Sequence, residues 1–157
     1  MSEFAVLGGI SGILTATESN AKQQSEYGSN TLSPLVIDGV ALFVQARGSI
    51  VRTLKYDFQT DGYQGNNLSI FSNHLFDRHD SISWGYQQNS DSVVWAVRDD
   101  GILIGLTYLK EHEIWAWHKH DFQVPYANWN GRVESVCVIP ESGADVVFLS
   151  VAYGDEP

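Results

Sequence analysis

The chain has 157 residues, enough for one domain with a sizeable core, and its 43% hydrophobic, 12% aromatic and 18% charged content describes a folded body rather than a disordered tail. Nine Lys and Arg against nineteen Asp and Glu give a formal net charge of −10, which opposes sequence-specific binding to phosphate backbones because such binding needs cationic contacts. One cysteine, Cys137, rules out an internal disulfide, and no apolar run approaches the roughly 20 residues that cross a bilayer. The first residues, Met1 to Gly12, lack the basic stretch of a secretory signal, so the expectation is a soluble, cytosolic chain.

Taken in order, Phe4 to Leu7 and Ile13 to Ala16 read as a small hairpin, and the polar stretch Thr17 to Thr31 as a loop. Ala41 to Ala46, a turn at Arg47-Gly48-Ser49, and Ile50 to Tyr56 form a hairpin pattern. Behind an Asn cap, Leu68, Phe71 and Leu75 share one helical face, which predicts a short helix over about 67–76. Ser92 to Arg98, Asp99-Asp100-Gly101 and Ile102 to Tyr108 predict a second hairpin, since Asp-Gly is a strong turn signal. With Ile82 to Gln87 before it and Glu113 to His120 after it, this becomes a four-stranded antiparallel meander. A last pair of strands is expected around Val133 to Pro140 and Val146 to Phe148, with Gly143 near the intervening turn.

Sliding the sequence against itself by 52 places Phe43 on Trp95, Gly48-Ser49 on Asp100-Gly101, Leu54 on Leu106 and Tyr56 on Tyr108. A shift of 53 places Val93-Val94-Trp95 on Val146-Val147-Phe148. A period of about 50 residues with about four strands per unit is the spacing of β-propeller blades. The expected fold is therefore all-β: one fragment over 1–157, made of antiparallel blade-like sheets of a partial β-propeller at about 32–60, 82–121 and 133–154, with one helical insertion. An antiparallel sandwich with coincidentally spaced hairpins is the alternative. Three units cannot close an ordinary propeller, so exposed strand edges and self-association are expected.

The search for chemistry turns up little. His112, Glu113, His118, His120 and Asp121 gather near one strand end, and His118 and His120 point to one face, a geometry that metal sites use. No third ligand is fixed by spacing, so the cluster reads as surface and no metal or cofactor is assigned. Asp57, Asp61 and Glu113 are acids that a β fold could assemble for glycoside hydrolysis, but no catalytic motif accompanies them. Trp84, Tyr86, Trp95, Tyr108, Trp115 and Trp117 suit a core; Trp95 and Tyr108 recur as Phe43 and Tyr56, as a shared blade core requires. Trp129, in the loop Tyr126 to Gly131, does not recur and is the candidate exposed contact. Cys137 sits in an alternating apolar stretch and reads as buried.

Several strings resemble the nozzle, or tail tubular protein B-like, family of short-tailed phages and prophages. They are Leu42-Phe43-Val44-Gln45 with Val51-Arg52, Asp61-Gly62-Tyr63, Leu68 and His74-Leu75. More specific are Tyr86-Gln87-Gln88, Ala96 to Gly101, Leu106-Thr107-Tyr108, Trp115-Ala116-Trp117-His118 and Val133 to Val136. The likeness spans about two-thirds of the chain. It implies a non-enzymatic structural protein of the virion tail, assembled in the host cytoplasm as a ring of copies against neighbouring tail proteins, through which DNA passes without specific binding. Family members are much longer, so the chain reads as a fragment. The competing readings are a carbohydrate- or receptor-binding module and a polysaccharide hydrolase.

Overall fold

A computed structural model describes residues 3–9, 12–89, 91–123 and 130–154; Trp129 lies outside them. The chain is all-β and divides into two compact units, Met1–Asn67 and Leu68–Pro157, where the sequence reading had one. Among the described residues no helix is long and apolar enough to cross a membrane.

In the first unit β1 (Glu3–Gly8) pairs antiparallel with β2 (Ser19–Ser25). This corrects two expectations: Ile13 to Ala16 are not the partner of Phe4 to Leu7, and 19–25 are not loop. The strand escaped notice because Ser-Asn-Ala-Lys-Gln-Gln-Ser is mostly exposed and carries no apolar alternation. Backbone pairing holds it, helped by hydrogen bonds from Ser25 Oγ to the Glu3 carboxylate and from the Tyr63 amide to Gln24 Oε1 at 3.0 Å. A four-stranded meander follows, β3 (Leu35–Ile37), β4 (Val40–Val44), β5 (Val51–Asp57) and β6 (Gly62–Gln64), in chain order. Ile37, Val40, Leu42, Phe43, Val44 and Val51 are its buried apolar residues.

The second unit holds the meander predicted from the Asp-Gly turn: β7 (Ser81–Gln87), β8 (Val93–Arg98), β9 (Leu103–Leu109) and β10 (Ile114–His120), again in chain order. Beside it lies a three-stranded sheet of β11 (Phe122–Gln123), β12 (Asn130–Glu141) and β13 (Ala144–Ala152). β8 and β9 are apolar almost throughout because both faces are covered. On one face Val97 and Leu103 meet Val133 and Val136, with Trp95, Phe122, Val147, Leu149 and Val151 packed around them. On the other, residues 68–76 cross the sheet: Phe76 meets Trp117 edge-to-face at 4.7 Å, and Trp117 Nε1 donates to the Leu68 carbonyl at 3.0 Å.

That crossing segment is not the expected helix over 67–76. Only Asn73–Leu75 form a single 3-10 turn. Phe71, assigned to the buried face, is 88% exposed, while Leu68, Leu75 and Phe76 are buried. Opening a helix is costly for a short segment, and this one is rich in Ser and Asn, which favour local turns. Side chains take up two of its carbonyls instead: Trp117 takes that of Leu68, and Arg98 NH1 donates to that of Leu75 at 2.8 Å.

Hairpins form at both predicted places, β4–β5 and β8–β9, but their pairing does not follow the register read by eye. Phe43 pairs with Arg52, so a uniform shift of 52 requires Trp95 opposite Ile104; the observed partner of Trp95 is Gly105. Six residues separate the paired Val44 and Val51 and five separate the paired Val97 and Leu103, so the shift is 53 before the turn and 52 after it. Gly48 then falls on Gly101, both at φ 84°, a left-handed position that glycine enters without steric cost. The proposed aromatic core does not repeat. Phe43 is not the counterpart of Trp95, and Tyr56 is 44% exposed whereas Tyr108 is 6% exposed. Cys137, expected buried, is exposed on β12.

Leu103→Ala should destabilise the second unit by about 2–5 kcal/mol, the usual cost of truncating a buried leucine, whereas Glu111→Ala at an exposed position of the same unit should change it by less than about 0.5 kcal/mol. Urea unfolding followed by tryptophan fluorescence separates the two.

Candidate functional site

Several polar groups of the second unit converge at the β8–β9 turn. Arg98, only 6% exposed, donates through Nε to Asp100 Oδ1 at 3.0 Å and through NH2 to Asp100 Oδ2. Asp100 Oδ1 also accepts from the Ile102 amide at 3.3 Å. His79 Nδ1 lies 2.9 Å from Asp99 Oδ1, and its Nε2 3.6 Å from Asp100 Oδ2. The neighbouring sheet docks on the same turn: the Val133 amide donates to the Gly101 carbonyl at 2.9 Å and Arg132 NH2 to the Asp99 carbonyl at 3.2 Å. A side chain at Gly101 would meet Arg132 Cβ at 2.8 Å, so this contact needs glycine as well as the turn does.

Both carboxyls are held below their usual 3.8. For Asp100, burial pushes upward but is outweighed by the Arg98 hydrogen bond, the Ile102 amide and the Arg98 charge. For Asp99, burial is outweighed by the His79 hydrogen bond and a backbone hydrogen bond from Asp80. His79, Asp99 and Asp100 bring one ligand atom each within 4.8 Å. With Arg98 already neutralising Asp100, the arrangement serves as a structural clamp.

At the opposite end of the same two sheets, Asp145 Oδ2 accepts from the Gln88 and Asn89 amides at 2.8 and 2.7 Å, and Asn89 Nδ2 donates to the Gly143 carbonyl at 2.7 Å. Midway, Ser83 Oγ accepts from the Val136 amide at 3.2 Å. Each of β7 and β12 has a register shift at this level, between Ser81 and Ser83 and between Val133 and Ser135.

The histidine cluster of the sequence reading separates. His112 ends a 3-10 turn, Lys110–His112, before β10, and Glu113 follows at φ 54°, while His118 and His120 lie at the far end of the strand. Asp121 pairs with Lys119 at 3.0 Å. His118 and His120 do share a face, with Nδ1 of the first 2.7 Å from Nε2 of the second. Both rings lie against Trp95, with centroids at 5.8 and 5.1 Å. A row of residues across the sheet, Gly85, Trp95, Gly105 and His118, makes this fit. A Cβ at Gly105 would come within 2.2 Å of His118 Cε1, and one at Gly85 within 3.1 Å of Val138 Cγ2. The two glycines leave room for Val138 and the His118 ring on either side of the Trp95 row, and the indole Nε1 donates to Gln87 Oε1 at 2.9 Å. Burial, together with the nearby His120, pushes His118 below the usual imidazole value, which favours a neutral ring near pH 7. The sequence reading missed this row, although counting outward from the Asp-Gly turn would have placed Gly105 opposite Trp95.

Of the acids proposed for hydrolysis, Asp57 and Asp61 are engaged in local hydrogen bonds around the β5–β6 turn. Asp57 caps its own turn, accepting from the Gln59 amide at 3.1 Å and Thr60 Oγ1 at 3.2 Å. Asp61 accepts from Tyr56 OH at 2.7 Å, a hydrogen bond that pushes the Tyr56 phenol up. Glu113 belongs to the other unit. The first unit also carries a cleft of about 250 Å³ lined in part by Gln24, Tyr27, Arg52, Tyr63 and Gln64, in which the Arg52 guanidinium lies 3.4 Å above the Tyr27 ring.

Compared with known proteins, the chain matches no family model and no curated protein.

Asp100→Asn should cost roughly 3 kcal/mol, the lower end for breaking a buried ion pair, because it leaves Arg98 uncompensated. The stability contributed by the depressed Asp99 and Asp100 is fully present above the ordinary carboxyl value near 4. It is lost as pH falls below that through the folded values, so acid unfolding of Asp100→Asn should be shallower over this window than that of the native chain. Gly105→Ala should displace the His118 ring, shift Trp95 emission and destabilise by about 1–3 kcal/mol.

Proposed function

We propose that this chain is a non-enzymatic, structural piece of a phage or prophage tail nozzle, its meander sheets acting as blade-like units of a partial β-propeller. The observation that carries the proposal is the recurrence of one hairpin template in successive antiparallel meanders, with Gly48 and Gly101 at equivalent turns. The string resemblance from Leu42 to Glu141 runs from within β4 through the second meander and β12. The polar contacts at the β8–β9 turn, Ser83 and Asp145 all join one sheet to the next, which is what stacked blades require. In such an assembly copies pack against each other and against neighbouring tail proteins in the virion. The excess of acids keeps passing DNA from adhering.

Two measurements test this reading. Sedimentation and negative-stain imaging of the full chain at tens of micromolar should show oligomers, and a monodisperse monomer at all concentrations counts against packing as its work. Glu18, Glu111 and Glu141 are exposed. Replacing all three by Lys should raise DNA retention at low salt, and unchanged retention sinks the lumen role. The Tyr27–Arg52 cleft supports a second reading as a glycan-binding module, for which a glycan screen positive in the native chain and lost in Tyr63→Ala is the discriminating result.

A further inference from the structure

His118 and His120 stand two residues apart on β10, their rings cross at 4.9 Å between centroids, and Nδ1 of the first lies 2.7 Å from Nε2 of the second. The far nitrogen of His118, Nε2, lies 3.4 Å from Thr107 Oγ1, a contact in which it can donate a proton. Donation there leaves the Nδ1 lone pair facing His120. This matches the arrangement by which a metal-binding histidine is oriented from behind by an oxygen. Bonds of about 2.0–2.1 Å to a tetrahedral ion set neighbouring donor nitrogens about 3.3–3.4 Å apart. The observed 2.7 Å reaches that separation with a small ring rotation. Trp95 and Gly105 confine both rings to this face, so the pair loses little freedom on binding.

We propose that His118 and His120 form a bidentate chelate for a divalent late transition-metal ion of the Zn²⁺ or Ni²⁺ type, with solvent completing the coordination sphere. Imidazole suits these ions. The ion takes the place of the proton held between the rings. When both rings are neutral, His120 moves its proton from Nε2 to Nδ1; when His120 is charged, one proton leaves to solvent. With two protein ligands the affinity is modest, a Kd on the order of 10 µM, far from that of a closed four-ligand site.

Calorimetric titration of the full chain with Zn²⁺ at neutral pH should show one site per chain. His118→Gln and His120→Gln should each weaken it at least tenfold, while His112→Ala and His74→Ala leave it unchanged. Ni²⁺ should quench part of the tryptophan emission, and Trp95→Phe should remove that part. Zn²⁺ affinity equal in the native chain and His120→Gln, no saturable binding below about 1 mM, or quenching that survives in Trp95→Phe, each overturns the proposal. Should a Gln variant lose its native circular dichroism, X-ray absorption on the Zn²⁺-loaded native chain decides instead. Two imidazole nitrogens at about 2.0–2.1 Å support the chelate, and an all-oxygen shell overturns it.

Discussion

The second unit depends on a buried guanidinium. Arg98 cannot lose its proton, so its burial at the end of β8 must be compensated on the spot. Asp100, two residues later, supplies a carboxylate across the tight turn, and the Leu75 carbonyl supplies a neutral acceptor from the segment that crosses the sheet. Once the turn is fixed, its outward carbonyls at Asp99 and Gly101 become the acceptors on which β12 docks. One charge thus determines the path of residues 68–76, the shape of the hairpin and the position of the next sheet. In the first unit, near the corresponding turn, Arg52 reaches Gln45 and stacks on Tyr27.

The row through Trp95 shows how a large side chain is accommodated between sheets. Interiors pack at crystal-like density, so an indole facing the neighbouring sheet needs small residues on both flanking strands. Gly85 and Gly105 provide them, and Val138 and His118 close over the vacated space. The two histidines are consequently packed residues with one shared edge facing out. Their proximity follows from core geometry, and whatever chemistry they have is inherited from it.

The functional reading rests on arrangement rather than on a reactive group. Acids that might have formed a catalytic pair cap turns, with Asp57 on Gln59 and Thr60 and Asp61 on Tyr56. Polar side chains on the facing surfaces of the two sheets are spent on joining them, at Ser83, Gln87 and Asp145.

The sequence by itself determined the all-β class, the meander from Ser81 to His120 and the order of its strands, because apolar alternation and the Asp-Gly turn are local signals. The β4–β5 hairpin and the β12–β13 pair were legible for the same reason. Only the tertiary structure decided the rest. Polar β2 is a strand because β1 offers it backbone partners, and the 68–76 segment is not a helix because Trp117 and Arg98, distant in sequence, take up its carbonyls. The division into two units, the one-residue difference between the repeated hairpins and the separation of His112 from His118 also lay beyond periodicity. Each depends on loop length or on contacts between residues far apart in the chain, and neither has a local signature.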